Sequence, residues 1–167
     1  KTGYIDEKGN TVIDFIFDYV VWNGETAEFI EDKYAVVEVN GKRGAVDSKG
    51  TYIIEAKYEE LFYYGNDMFV FLDGETDKRG FVNAQGVETV PAQFDAVLAN
   101  GGELIPAAIG DYWGFVDSTG KYVINPVFEY TYGFSNGFSV VRKNDKCTFI
   151  DETGKAITDY QFDYMSD

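Results

Sequence analysis

Carboxylates are the residues of this chain best placed to do chemistry, because they recur in register. Asp6, Asp47, Asp117 and Asp151 each stand three residues before a glycine (Gly9, Gly50, Gly120, Gly154), and Asn83 holds the same place before Gly86. A second set, Asp18, Glu59, Asp95, Glu129 and Asp163, follows the aromatics Phe17, Tyr58, Phe94, Phe128 and Phe162. Two carboxylates about 5–9.5 Å apart around a cleft could hydrolyse a glycoside. Recurrence at a constant interval spreads such groups over separate units instead of pairing them. The first set is therefore expected to accept hydrogen bonds from turn N–H groups two residues on, and the second from loop N–H groups. The chain has no histidine, which excludes a His general base and a zinc site built from His and Cys. The single cysteine, Cys147, can form no intrachain disulfide. With no histidine to activate it, packing is its expected role. No catalytic residue and no enzyme activity is assigned.

Oxygen ligands gather in two places, Asp73 to Asp77 and the stretch holding Glu25, Glu28, Glu31 and Asp32. Neither has the spacing of an EF-hand loop, so both are read as solvated acidic loops, with no metal and no cofactor. The net charge is −15, from 29 acidic and 14 basic side chains; this would repel a phosphate backbone and excludes nucleic acid as the expected partner. No apolar run approaches the ~20 residues of a membrane-spanning helix, so membrane insertion is not expected. The aromatics remain as binding candidates. Trp22, Tyr63, Tyr64, Tyr130 and Tyr132 fall between the expected strands, where flat rings beside acids suit stacking on a glycan or capture of a protein or peptide.

What must position these residues is an internal repeat. The anchors Gly3, Gly44, Gly80, Gly114 and Thr148 lie 41, 36, 34 and 34 residues apart, and an aromatic stands fourteen positions after each. The longer first interval places an insertion after Phe17, in the acidic stretch 25–32. Each anchor opens a short β-rich segment (Gly114-Phe115-Val116-Asp117), followed by an Asp-x-x-Gly turn and a second apolar run such as Val123-Ile124. A loop then carries the aromatic–acid pair, often with proline (Pro91, Pro126). A third strand follows (34–39, 68–72, 104–109, 138–142) and enters the next anchor through Asn40-Gly41, Asp73-Gly74, Gly110-Asp111 or Asn144-Asp145, which are hairpin signals. The third strand of one unit thus pairs with the first strand of the next. No segment holds a 3.6-residue apolar period. The expected fold is all-β: tandem repeats forming three-stranded antiparallel meanders, arranged as an open array in preference to a propeller-like ring. One repeat domain, 1–167, divides into repeats near 1–41, 42–77, 78–111 and 112–145 with a partial copy at 146–167. The recurrent aromatics, together with Ile5, Val46, Val82, Val116 and Ile150, are expected in the core. The chain opens at Lys1 without Met and reads as a piece of something longer.

The fullest copy, Tyr112-Trp113-Gly114-Phe115-Val116-Asp117-Ser118-Thr119-Gly120-Lys121, with Val123-Ile124-Asn125-Pro126, Phe128-Glu129 and then Phe134-Ser135-Asn136-Gly137-Phe138-Ser139-Val140-Val141, resembles the bacterial WG repeat family. The resemblance covers essentially the whole chain. The Trp survives only at Trp113; Thr2, Arg43, Arg79 and Cys147 stand in its place, and Thr148 replaces the last Gly. The resemblance implies a binding or scaffolding repeat and supplies no catalytic residues. The expected function is a module presenting loop aromatics and acids to a protein, peptide or glycan, with a carbohydrate-active accessory domain or a structural spacer as alternatives. The lone cysteine, absent histidine and abundant tyrosine favour a cell-surface or extracellular setting over the cytoplasm.

Overall fold

The computed structural model describes residues 1–21, 29–99 and 102–159. Among them every regular element is a β-strand. β1 (Thr2–Ile5) and β2 (Thr11–Phe17) form a hairpin. A four-stranded sheet follows in the order β3 (Tyr19–Val20), β4 (Tyr34–Val39), β5 (Lys42–Asp47), β6 (Tyr52–Tyr58). The same order recurs in β7 (Glu60–Gly65), β8 (Met68–Asp73), β9 (Lys78–Asn83) and β10 (Glu88–Phe94). It recurs again in β11 (Ala96–Val97), β12 (Ile105–Ile109), β13 (Tyr112–Val116) and β14 (Tyr122–Phe128). The last sheet is β15 (Tyr130–Ser135), β16 (Phe138–Lys143) and β17 (Lys146–Asp151). These are small antiparallel sheets built from tandem repeats, and none of them closes into a barrel. The chain divides into two compact units, 1–92 and 93–167.

The expected pairing across the repeat boundary is present. β4 meets β5 from Tyr34↔Asp47 to Val39↔Lys42, and the turn between them puts Asn40 and Gly41 at φ 54° and 75°. Two successive positive φ values match the right-handed twist of the flanking strands. The three-stranded meander requires one correction. A further strand, β3, β7, β11 or β15, starts two residues after the aromatic and hydrogen-bonds to the third strand. The aromatic–acid pair is therefore not a loop. Phe128 ends β14, Glu129 turns the corner, and Tyr130 begins the next sheet. Pro91 and Pro126 likewise lie inside strands, β10 and β14, rather than in loops. Both strands are sheet edges, where a missing N–H is tolerated.

Within each unit the core lies between consecutive sheets. In the first unit, Ile13 and Phe17 of the opening hairpin pack on one face of β3–β6, against Val20, Ala35, Val37 and Val46. The opposite face, through Val36 and Ala45, packs on Leu61, Phe69, Phe71 and Val82 of β7–β10. In the second unit, Phe115 packs on Val141, Ile150 and Phe134 of the last sheet, with the Phe115 and Phe134 ring centroids 4.7 Å apart. The recurrent aromatics Phe17, Tyr58, Phe94 and Phe128 are all buried, as are Val46, Val82, Val116 and Ile150. Ile5 departs from that expectation: it is 59% exposed. Its counterpart Val46 is covered by the preceding hairpin, and Ile5 belongs to that first hairpin. Phe162, Asp163, Trp22, Glu25 and Glu28 lie outside the described residues.

Candidate functional site

The anchors explain themselves as close approaches. A Cβ on Gly114 would lie 2.5 Å from the Ile124 carbonyl oxygen and 2.7 Å from the Pro126 nitrogen, so β14 can cross there only over a glycine. The same holds at Gly44 against β6, at Gly80 against β10 and at Gly3 against β2, each with a carbonyl oxygen at 2.5 Å. In the fifth copy Thr148 occupies this place. Its hydroxyl reaches the Thr158 carbonyl at 2.7 Å, and between Asp151 and Asp159 the chain makes only an isolated bridge, Ile150↔Ala156.

The first carboxylate set is committed to turns. Asp6 accepts from the Lys8 and Asn10 N–H groups, Asp47 from Lys49 and Thr51, Asp117 from Thr119 and Lys121, and Asp151 from Thr153 and Lys155. Asn83 does the same with Gln85 and Val87. These bonds hold the acids below the usual carboxylate range: Asn10 is the main cause at Asp6, the Thr51 N–H at Asp47, and the Thr119 and Thr153 hydroxyls at Asp117 and Asp151. The second set caps the hairpin that follows. Asp18 accepts from the Asn40 N–H at 2.8 Å, Asp95 from Gly110 at 2.8 Å, and Glu129 from Asn144 at 2.7 Å. Glu59 pairs instead with Lys42. Asp73, in one of the oxygen-rich stretches, accepts from Glu75 and Thr76 within its own turn. Among the described residues no group of three or more His, Cys, Asp or Glu could hold a metal ion.

Two tyrosine–acid–lysine triplets join sheets within the first unit. The Tyr58 hydroxyl donates to Glu88 at 2.7 Å, and the Lys57 ammonium reaches the same oxygen at 2.9 Å. The Tyr34 hydroxyl donates to Asp67 at 2.9 Å, with Lys33 at 3.4 Å. Burial, then Glu88, pushes the Tyr58 hydroxyl pKa up, while the Tyr58 bond lowers that of Glu88. Every carboxylate shift resolved among these groups is downward, which suits fixed acceptors and not a proton donor near neutral pH.

The candidate tyrosines separate into two kinds, and all four described ones sit on strands, not in loops between the second and third strands. Tyr64 is buried. Tyr63 is half-buried, its ring 5.1 Å from Phe69 and 5.9 Å from Tyr34, and its hydroxyl accepts from the Asp67 N–H. Tyr63 belongs to the packing between β3–β6 and β7–β10. Tyr130 and Tyr132 are exposed on β15, an edge strand, with ring centroids 4.9 Å apart and nearly perpendicular. Tyr130 stands opposite Arg142 on β16, whose guanidinium pairs with Glu129 and Asp145. Phe138 of β16 and Phe149 of β17 are exposed on the same sheet. The result is a surface of rings with one cation and its acids at the border. Phe138 and Phe149 were not singled out from the sequence. Phe149 repeats the position of Phe81 and Phe115, both fully buried, so its exposure had no signal in the repeat pattern.

No helix among the described residues is long and apolar enough to cross a membrane. A family model described as WG containing repeat matches residues 3–42, 44–75 and 113–147, more than half of the chain; the copy with Arg79 and Asn83 lies between the matched spans. No curated protein matches. Among solved structures, the chain is similar to a crystal structure of a eukaryotic initiation factor. The TM-score is 0.59 at 10% identity, over 90% of this chain and 47% of that one. It is also similar to Kluyveromyces lactis Hsv2, with TM-score 0.45 at 12% identity, over 74% and 44%. The chain spans less than half the length of either.

Proposed function

The chain belongs to the WG containing repeat family, and on that premise we propose that it is a non-catalytic binding and scaffolding module. Its partner surface is the exposed side of the β15–β17 sheet, and its partner is a protein, peptide or glycan. The observation that carries this reading is the tyrosine pair Tyr130 and Tyr132, left exposed on an edge strand while Tyr63 and Tyr64 are taken up in packing. Two rings with hydroxyl tips offer apolar area and hydrogen bonding together. The commitment of the recurrent acids to turns supports a binding role over a catalytic one.

Probing peptide and glycan arrays with the purified chain tests this. The double variant Tyr130→Ala, Tyr132→Ala is expected to lose at least tenfold in affinity, about 1.4 kcal/mol, with an unchanged melting temperature. Array binding that survives in the double variant would place the surface elsewhere.

A further inference from the structure

Each unit holds one contact between consecutive four-strand or three-strand sheets, β3–β6 on β7–β10 and β11–β14 on β15–β17, and the two are built from opposite halves. Strand register fixes which residues correspond. Phe71 stands opposite Gly80 and Val141 opposite Thr148; Phe69 opposite Val82 and Ser139 opposite Ile150; Leu61 opposite Phe71 and Thr131 opposite Val141. Ala45 and Phe115 each follow an anchor glycine and are fully buried. In the first unit Ala45 meets a following sheet that carries Leu61, Phe69 and Phe71. In the second, Phe115 meets a following sheet that carries Val141, with Thr131 and Ser139 buried on the same face. One side has gained a phenyl ring. The other has shrunk at three places, from Leu to Thr, from Phe to Ser and from Phe to Val. The ring contacts change with it. Phe69 of the following sheet lies 5.7 Å from Tyr34 and 5.1 Å from Tyr63, and Phe71 stacks on Tyr58 at 4.4 Å. In the second unit the ring comes from the preceding sheet: Phe115 reaches Phe134 at 4.7 Å, and Phe134 is the cross-strand partner of Ser139. The Thr131 and Ser139 hydroxyls bond each other at 2.9 Å, so the residues that make room for Phe115 are paired, as buried polar groups must be.

We propose that this exchange of bulk decides which sheet each sheet accepts as its follower, so that β3–β6 takes β7–β10 and rejects β15–β17, while β11–β14 takes β15–β17 and rejects β7–β10. The copies share their anchors, turns and inward aromatics, and those signals cannot tell one sheet from another. Misassembly between copies is a characteristic failure of repeat proteins. Interiors are close-packed, so a mismatch is felt in either direction. With β15–β17 as follower on β3–β6, Ala45 would face Thr131, Ser139 and Val141 and leave a void. With β7–β10 as follower on β11–β14, Phe115 would meet Leu61, Phe69 and Phe71 and overpack. The same complementarity that fills each contact therefore excludes the wrong neighbour, and it combines an attractive fit with a built-in clash.

The test uses three variants of the whole chain that keep its composition unchanged. The first exchanges one side of both contacts, Ala45→Phe with Phe115→Ala. The second exchanges the other side, Phe69→Ser with Ser139→Phe. The third carries all four changes and restores a ring opposite a small residue in each unit. Melting temperature and the yield of soluble chain after dilution from denaturant are measured for each. The first two variants are expected to melt at least about 5 °C below the wild type and to refold in lower yield. The four-residue variant is expected to melt above both and to refold in higher yield than either. A two-residue variant that melts within about 2 °C of the wild type overturns the proposal, since the contacts would then accept either neighbour. So does a four-residue variant that melts at or below either two-residue variant, because the two positions would then act independently. Where a two-residue variant does not fold at all, a cooperative melt in the four-residue variant supports the proposal and its absence overturns it.

Discussion

Replacing Gly114 by alanine adds one methyl group where there is no room. The new Cβ would lie 2.5 Å from the Ile124 oxygen, 2.7 Å from the Pro126 nitrogen and 2.8 Å from the Asn125 carbonyl carbon. All three are backbone atoms, so no side chain can rotate out of the way. β14 must retreat by about 1 Å to reach van der Waals separation. That retreat falls between the pairs Trp113↔Phe128 and Phe115↔Ile124, where the register already shifts. Overpacking costs ~1–3 kcal/mol. Weakening one or two ladder bonds adds ~0.5–1.5 kcal/mol each, and the stiffer unfolded chain returns ~0.4–1 kcal/mol. The net expectation is a loss of about 2–4 kcal/mol, which for a chain of this length lowers the melting temperature by roughly 4–16 °C. Denaturant titration followed by circular dichroism would measure it. The fifth copy supplies the control. Thr148 already carries a Cβ at this position and its hydroxyl holds Thr158, so Thr148→Gly is expected to destabilise. A Gly114→Ala variant within about 0.5 kcal/mol of wild type, the range of ordinary surface changes, would refute the close-approach account of the anchor glycine.

Phe128→Ala is expected to cost ~3–5 kcal/mol, as for a buried Phe, because the ring is 3% exposed within the Phe115–Ile150 cluster; a near-wild-type melt would remove it from the core. The turn acids set an acid limit. Their folded pKa values are depressed, so their contribution is complete above the unfolded value of ~3.9 and is lost as pH falls through the folded values. Changing Asp6, Asp47, Asp117 and Asp151 together to Asn, the residue already working at Asn83, should flatten the fall in melting temperature below pH ~4. An acid limb as steep as in wild type would show that the turn acids do not set it.

The hairpin turns and the aromatic interval were legible because both depend on short-range chemistry. Asn40-Gly41 demands positive φ, and a fourteen-residue interval fixes Phe17, Tyr58, Phe94 and Phe128 to the same inward place. The fourth strand was not legible because its boundary is a single corner residue. Glu129 stands between β14 and β15 with no Gly or Pro beside it, and Tyr130-Thr131-Tyr132 reads as aromatic loop until a partner strand is seen. Pro91 and Pro126 misled in the same way, since proline on an edge strand looks like proline in a loop. The candidate site was half legible. Tyr63, Tyr64, Tyr130 and Tyr132 share a residue type but hold different repeat positions, Tyr63 and Tyr64 matching Gly133 and Phe134, and Tyr130 and Tyr132 matching Glu60 and Phe62. Ile5 and Phe149 mark the limit of the pattern, since each is exposed at a repeat position whose other members are buried.

The sheet that straddles two periods also bears on how such an array can change length. A sheet takes its early strands from one sequence copy and its late strands from the next, so the cut point of a duplication or deletion does not matter. Joining Gly44 directly to Phe81 removes one period wherever its ends are drawn, yet the strand across the join still reads Lys-Arg-Gly-Phe-Val-Asn, the run of β9. Recombination between misaligned copies would therefore leave a whole sheet at the seam, and the gene could gain or shed units without first finding a domain boundary.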